Sequence, residues 1–130
     1  MHDVIDDAIS HVSLLAIDKQ GSISTHFKAI QAETLVNQFH MTNVLVNILE
    51  NALKYSEEKP KIDVYTENTD KNLLIKIEDQ GIGMAKNVQK QIFDKFYREQ
   101  KGNIHNTKGH GLGLAYVKEI VDTHHGTVFV

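Results

Sequence analysis

The chain has 130 residues, a formal net charge of −3, 41% hydrophobic and 24% charged residues, and no cysteine. That is enough for one domain with a hydrophobic core and too little for two. No basic excess exists to neutralise nucleic-acid phosphates, no thiolate metal site or disulfide framework can be built, and no apolar run reaches membrane-spanning length.

From the N-terminus, Met1-His2-Asp3 offers no basic segment before an apolar core, so no signal peptide is readable. Val4, Ile5, Ala8, Ile9, Val12, Leu15 and Ala16 recur at helical spacing and predict an amphipathic helix over 3–19, ended by Gln20-Gly21-Ser22. Residues 22–28, with Ile23 and Phe27, alternate as a strand. A long helix lies within 35–55, with Val44, Leu45, Ile48, Leu49, Ala52 and Leu53 on its buried side. Pro60, the only proline, punctuates its exit.

Ile62 and Val64, then Leu73, Ile75 and Ile77, form two alternating runs around the turn-rich Asn68-Thr69-Asp70-Lys71-Asn72, a hairpin signature. A short helix is expected over 86–93, a polar loop over 95–110, a helix over 112–125 and the start of a strand over 127–130. The chain stops inside that last apolar run, which points to a piece of a longer protein with its C-terminal strand truncated. This order predicts an α/β fold, a two-layer sandwich with helices covering one face of a mixed sheet.

Four short segments carry chemistry. Asn47 and Asn51 are one helical turn apart and share a face, with Lys54 close by. Two amides and an ammonium opposite an apolar stripe can hold a metal and meet phosphate oxygens, although such a face alone more often is simply a solvated one. Asp79 ends a strand and precedes Gly81-Ile82-Gly83. A carboxylate there can accept a hydrogen bond from the exocyclic amine of adenine, where guanine presents a carbonyl, and the glycines let backbone approach a flat ring. Phe93, Phe96 and Tyr97 read as anchors for the polar loop, with Arg98 able to reach a γ-phosphate. Gly109-His110-Gly111-Leu112-Gly113-Leu114 opens a helix, where unshielded N–H groups suit an anion. No Gly-Lys-Ser/Thr follows, so it is not a Walker loop, and its context is wrong for a dinucleotide fold. The eight histidines match no metal-ligand spacing.

In this order and spacing, the segments resemble the ATP-binding catalytic domain of sensor histidine kinases, with the Bergerat-type fold shared with type II topoisomerases, MutL proteins and heat-shock chaperones. The likeness spans nearly the whole chain and is most specific at Asn51-Ala52-Leu53-Lys54-Tyr55-Ser56. It implies one domain over 1–130 that binds ATP with Mg²⁺. Asn51 would coordinate the metal with Asn47 alongside. Lys54 would touch phosphate, and Tyr55 would border the adenine that Asp79 reads. Gly81, Ile82 and Gly83 would shape the base pocket. Phe96, Gly109, His110, Gly111, Leu112, Gly113 and Leu114 would complete the nucleotide contacts, with an ATP lid over about 94–110.

Within that superfamily, the water-hydrolysing members place a glutamate where this chain has Asn47, and a neutral amide cannot take a proton from water. A neutral imidazole needs less help, so Asn47 favours transfer of the γ-phosphoryl to a histidine. Glu50, about 60° away around the helix by helical geometry, is the nearest carboxylate, and with Asn47 and Arg98 completes the candidate catalytic set. The acceptor histidine, on a helical dimerisation domain, is absent from this chain. The resemblance therefore implies that domain and a response-regulator receiver as partners, no nucleic acid, no direct membrane contact, and a cytoplasmic location compatible with a parent anchored in the inner membrane. Three alternatives stay open: a serine kinase of the anti-sigma-factor type, a non-catalytic nucleotide-binding module, and an ATPase of the topoisomerase or chaperone kind.

Overall fold

A computed structural model describes residues 1–56, 58–80, 89, 92–93 and 113–130. The chain divides into two compact units, Met1–Ile82 and Gly83–Val130. In the first, α1 (His2–His11) and α2 (Ser13–Asp18) precede β1 (Ser22–Phe27), α3 (Gln38–Lys54), β2 (Lys61–Asn68) and β3 (Leu73–Asp79). The second contains α4 (Gly113–Thr123).

The three strands form a mixed sheet in the order β1-β2-β3, parallel between β1 and β2 and antiparallel within the hairpin. The alternation read from the sequence decides its two faces. Ile62, Val64 and Thr66 are buried, and their register partners Ile23, Thr25 and Phe27 on β1, with Ile75 and Ile77 on β3, extend the same face. The helices cover it, giving the expected α/β sandwich. Val4, Ile5 and Ala8 of α1 and Met41, Val44, Leu45, Leu49 and Leu53 of α3 complete the core. Each large aliphatic side chain fully buried in this way contributes about 1.5–3 kcal/mol.

A second buried element is polar. The Thr66 hydroxyl, fully enclosed, accepts a hydrogen bond from the Ala29 N–H at 3.3 Å and pairs with His2 Nε2 at 2.9 Å. The His2 ring also stacks on Phe27, with centroids 4.1 Å apart. The start of α1 is thereby fastened to the sheet by a satisfied hydrogen bond and a ring contact.

Two elements differ from the sequence reading and one gains a defined start. The helix expected over 3–19 is two helices, broken at Val12 (φ −103°, ψ 5°). There the Val12 N–H turns back to the Ile9 carbonyl at 3.2 Å, and the Ser13 hydroxyl donates to the Ser10 carbonyl at 2.8 Å. A serine hydroxyl competing for backbone in this way often marks a bend. The long helix expected within 35–55 is borne out and runs from Gln38 to Lys54; Asn37 is its N-cap and accepts from the His40 N–H at 3.0 Å. Leu35 stays outside, 99% exposed. Residues 127–130 pair with no strand among the described residues, since an apolar run becomes a strand only where a neighbour supplies the ladder. The helix expected over 86–93 lies mostly outside the described residues.

Replacing Asn37 with alanine removes one N-terminal acceptor and should lower stability by about 1 kcal/mol. A shift of the urea midpoint at unchanged m-value checks it; an unmoved midpoint means the cap is not used.

Candidate functional site

The side chains singled out on α3 emerge between its buried residues. Leu49 and Leu53 are buried against the core, and Asn47, Glu50, Asn51 and Lys54 lie half-buried beside them. Ile48 and Ala52, expected in the core, are also only half-buried. The stripe is narrow enough that one flank of the helix stays open to a ligand.

The Asn47 Nδ2 donates to the Asn43 carbonyl one turn back, at 2.9 Å. That bond fixes the amide, because only the nitrogen can donate to a carbonyl, and it leaves Oδ1 as the side chain's acceptor. Glu50 and Lys54 face each other across one turn at 3.9 Å, both partly exposed. An exposed pair of this kind contributes between nothing and about 1 kcal/mol, so either group can exchange its partner for a ligand at little cost. The Asn51 carbonyl accepts from the Tyr55 N–H at 3.1 Å as the helix closes. Tyr55 itself is 44% exposed just beyond the last turn.

Asp79 closes β3, opposite Ile62 in the hairpin register and exposed. It belongs to the same unit as α3, and β3 is a neighbour of that helix. Asp79, Asn47, Glu50, Asn51, Lys54 and Tyr55 are therefore carried by adjoining elements of one body. Gly113 and Leu114 begin α4 in the other unit. Gly81, Ile82, Gly83, Phe96, Arg98, Gly109, His110, Gly111 and Leu112, with the lid, lie outside the described residues.

A shallow depression of about 430 Å³ opens elsewhere, between α1 and the first turns of α3, lined by Asp7, His11, Gln38, Phe39, Thr42 and Asn43. It includes none of the candidate residues. The solvent face of the sheet is also organised. His26 bonds Asp63 at 3.0 Å and stacks on Tyr65. Lys76 lies 5.4 Å from the Tyr65 ring centre and pairs with Glu78 at 3.1 Å. The hydrogen bond to Glu78 raises the Lys76 pKa above the ordinary lysine value. Among the described residues no group of three or more histidine and carboxylate side chains could hold a metal, and no helix is long and apolar enough to cross a membrane.

Sequence reasoning missed Lys19. Its Nζ donates to the carbonyls of Leu53 and Lys54, at 2.8 and 3.1 Å, 34 and 35 positions away. A side chain bonding to remote backbone leaves no pattern in sequence that could have revealed it.

The model of histidine kinase-, DNA gyrase B- and HSP90-like ATPases matches residues 36–130. The sensor protein RprX of Bacteroides fragilis is 40% identical over 129 residues, covering 98% of this chain and 25% of its own length. The sensor protein CiaH of Streptococcus pneumoniae is 39% identical over 101 residues, covering 78% of this chain and 23% of its own. This chain thus spans about a quarter of the relatives it matches. Among solved structures, a mycobacterial sensor histidine kinase, MprB, superposes with a TM-score of 0.81 at 26% identity, over 99% of this chain and 80% of that one. The catalytic domain of histidine kinase ThkA gives 0.82 over 98% and 82%, at an identity of 19% that speaks for the fold alone.

Proposed function

The chain belongs to the family of histidine kinase-, DNA gyrase B- and HSP90-like ATPases, as the ATP-binding catalytic domain of a sensor histidine kinase, and from that premise we propose how its residues divide the work. Membership implies ATP with magnesium. The donor set on α3 fits that cation: two amide oxygens and a carboxylate are hard oxygen ligands of the kind magnesium takes. The Asn47 nitrogen is already committed to a backbone carbonyl, which leaves its oxygen for a ligand. Asn51 and Asn47 hold the metal, which when bound neutralises charge on the phosphates.

Lys54 exchanges Glu50 for a phosphate oxygen. Tyr55 borders the adenine, and Asp79 accepts from its exocyclic amine. Gly81, Ile82 and Gly83 shape the base pocket, while Gly109 to Leu114 offer N–H groups to the phosphates. Phe96 anchors the lid, and Arg98 meets the γ-phosphate. The lone pair of an acceptor imidazole attacks the γ-phosphorus as its bond to the β–γ bridging oxygen breaks, and ADP leaves. Little general-base help is needed, which suits Asn47 in place of an acid. Glu50, on the same flank, is the carboxylate to watch for any residual hydrolysis of ATP. The observation carrying this reading is the α3 flank itself: half-buried amides at Asn47 and Asn51, with the loosely held Lys54 ammonium one turn beyond Asn51.

The imidazole belongs to a helical acceptor and dimerisation domain elsewhere in the parent protein, and a response-regulator receiver takes the phosphoryl onward. A cytoplasmic position, in a parent anchored in the inner membrane, belongs to the same proposal. The test supplies this chain with the parent's acceptor fragment and γ-labelled ATP. Label should appear on the acceptor and be lost in acid while surviving base. Acid-stable label would instead indicate serine phosphorylation, and phosphate released without acceptor labelling would indicate an ATPase.

A further inference from the structure

We infer that Lys19, remote in sequence from every residue assigned above, is a positioning residue for the nucleotide site and acts by holding the end of α3; this rests on the nucleotide reading given under Proposed function. The last carbonyls of a helix lack intrahelical partners and carry the negative end of its dipole. In α3 two of them, on Leu53 and Lys54, receive the Lys19 ammonium at 2.8 and 3.1 Å. Among the described residues Lys19 has no carboxylate partner, so its charge is spent on this helix end.

Its own position is fixed. Lys19 caps α2, and the chain then turns through Gln20 at φ 56°. The Gln20 N–H returns to the Ile17 carbonyl at 2.9 Å and the Gly21 N–H to the Ala16 carbonyl at 2.8 Å, the paired closure that ends a helix on a left-handed residue. The same turn grips the far side of the loop leaving α3. The Ser22 N–H donates to the Pro60 carbonyl at 2.8 Å. A Cβ on Gly21 would lie 3.0 Å from that carbonyl oxygen and 3.1 Å from the proline ring, so the two backbones can meet this closely only at glycine.

Residues 19–22 therefore clasp the stretch from Lys54 to Pro60 at both ends. One end is Lys54 itself, whose ammonium is assigned to phosphate, followed by Tyr55, assigned to the base. Without Lys19 the last turn of α3 is free to fray, and these two side chains lose their common frame, while Asn47 and Asn51, further up the helix, keep theirs.

The experiment measures Mg-ATP affinity by calorimetry on this chain and on its Lys19→Met and Lys19→Arg variants, at a temperature where circular dichroism shows each to be folded. Met should weaken Mg-ATP about tenfold, and Arg, which keeps a cationic donor, should recover most of that. Affinity within twofold of the parent for Met overturns the inference, since a purely structural residue would lower the melting temperature without moving the affinity of the folded protein. Should Met not fold, Lys19→Gln is measured against the same threshold. Failure of the unsubstituted chain to bind Mg-ATP would remove the nucleotide reading and this inference with it, whereas binding by the parent and equal binding by the variant removes this inference alone.

Discussion

Asn51→Ala should cost at least about a hundredfold in Mg-ATP affinity, near 2.7 kcal/mol by the usual conversion, and leave the melting temperature unchanged or slightly raised. The two halves of this expectation have separate causes. Alanine is a better helix former than asparagine by roughly 0.6 kcal/mol, and the hydrogen bond at this position comes from backbone, between the Asn51 carbonyl and the Tyr55 N–H. Truncation keeps it. What goes is an amide oxygen on the open flank of α3, and losing even an outer partner of a metal site typically costs 10–100-fold. Calorimetry with and without magnesium separates the contributions: parent and variant should bind equally weakly in its absence. A variant that binds Mg-ATP within threefold of the parent would falsify the assignment of Asn51 to the metal.

For Asp79→Asn the effect should depend on which ligand is offered. ATP should bind about thirtyfold more weakly, about 2 kcal/mol, the size expected for a hydrogen bond to a charged group, whereas inorganic triphosphate should be held within about twofold. Preference for ATP over GTP should shrink in parallel, because the carboxylate that repels a guanine carbonyl is gone. Position supports this division: Asp79 ends β3, on a different element from the amides and ammonium of α3. Equal losses for ATP and triphosphate would mean that Asp79 does not read the base.

Periodic features were legible in the sequence. The alternation of Ile62 and Val64 with Leu73, Ile75 and Ile77 is the sheet face the helices cover, and the spacing of Val44, Leu45, Leu49 and Leu53 identified the buried side of α3. Periodicity failed where a local hydrogen bond outvoted it. The Ser13 hydroxyl on the Ser10 carbonyl accompanies the break in a continuous apolar pattern, while the start of α3 within 35–55 is set by its N-cap, Asn37. For the candidate site, the shared flank of Asn47, Glu50, Asn51 and Lys54 was readable, because helical spacing alone puts them there. Which atom of Asn47 is taken up by the backbone was not, since that depends on the Asn43 carbonyl. Nor was the Lys19 clasp, a contact between a side chain and backbone that no residue type advertises.

The parallel pairing of β1 with β2 has a consequence for the order of assembly. A hairpin such as β2–β3 closes locally in about microseconds, but two parallel strands must be joined by a crossover, and in this chain the crossover is α3 itself. The sheet cannot complete until that helix has been laid across it. Refolding should therefore deliver α3 and the β1–β2 ladder together, as one late event, and a newly made chain stalled before that step would own a hairpin but not the helix to which we assign the metal and phosphates.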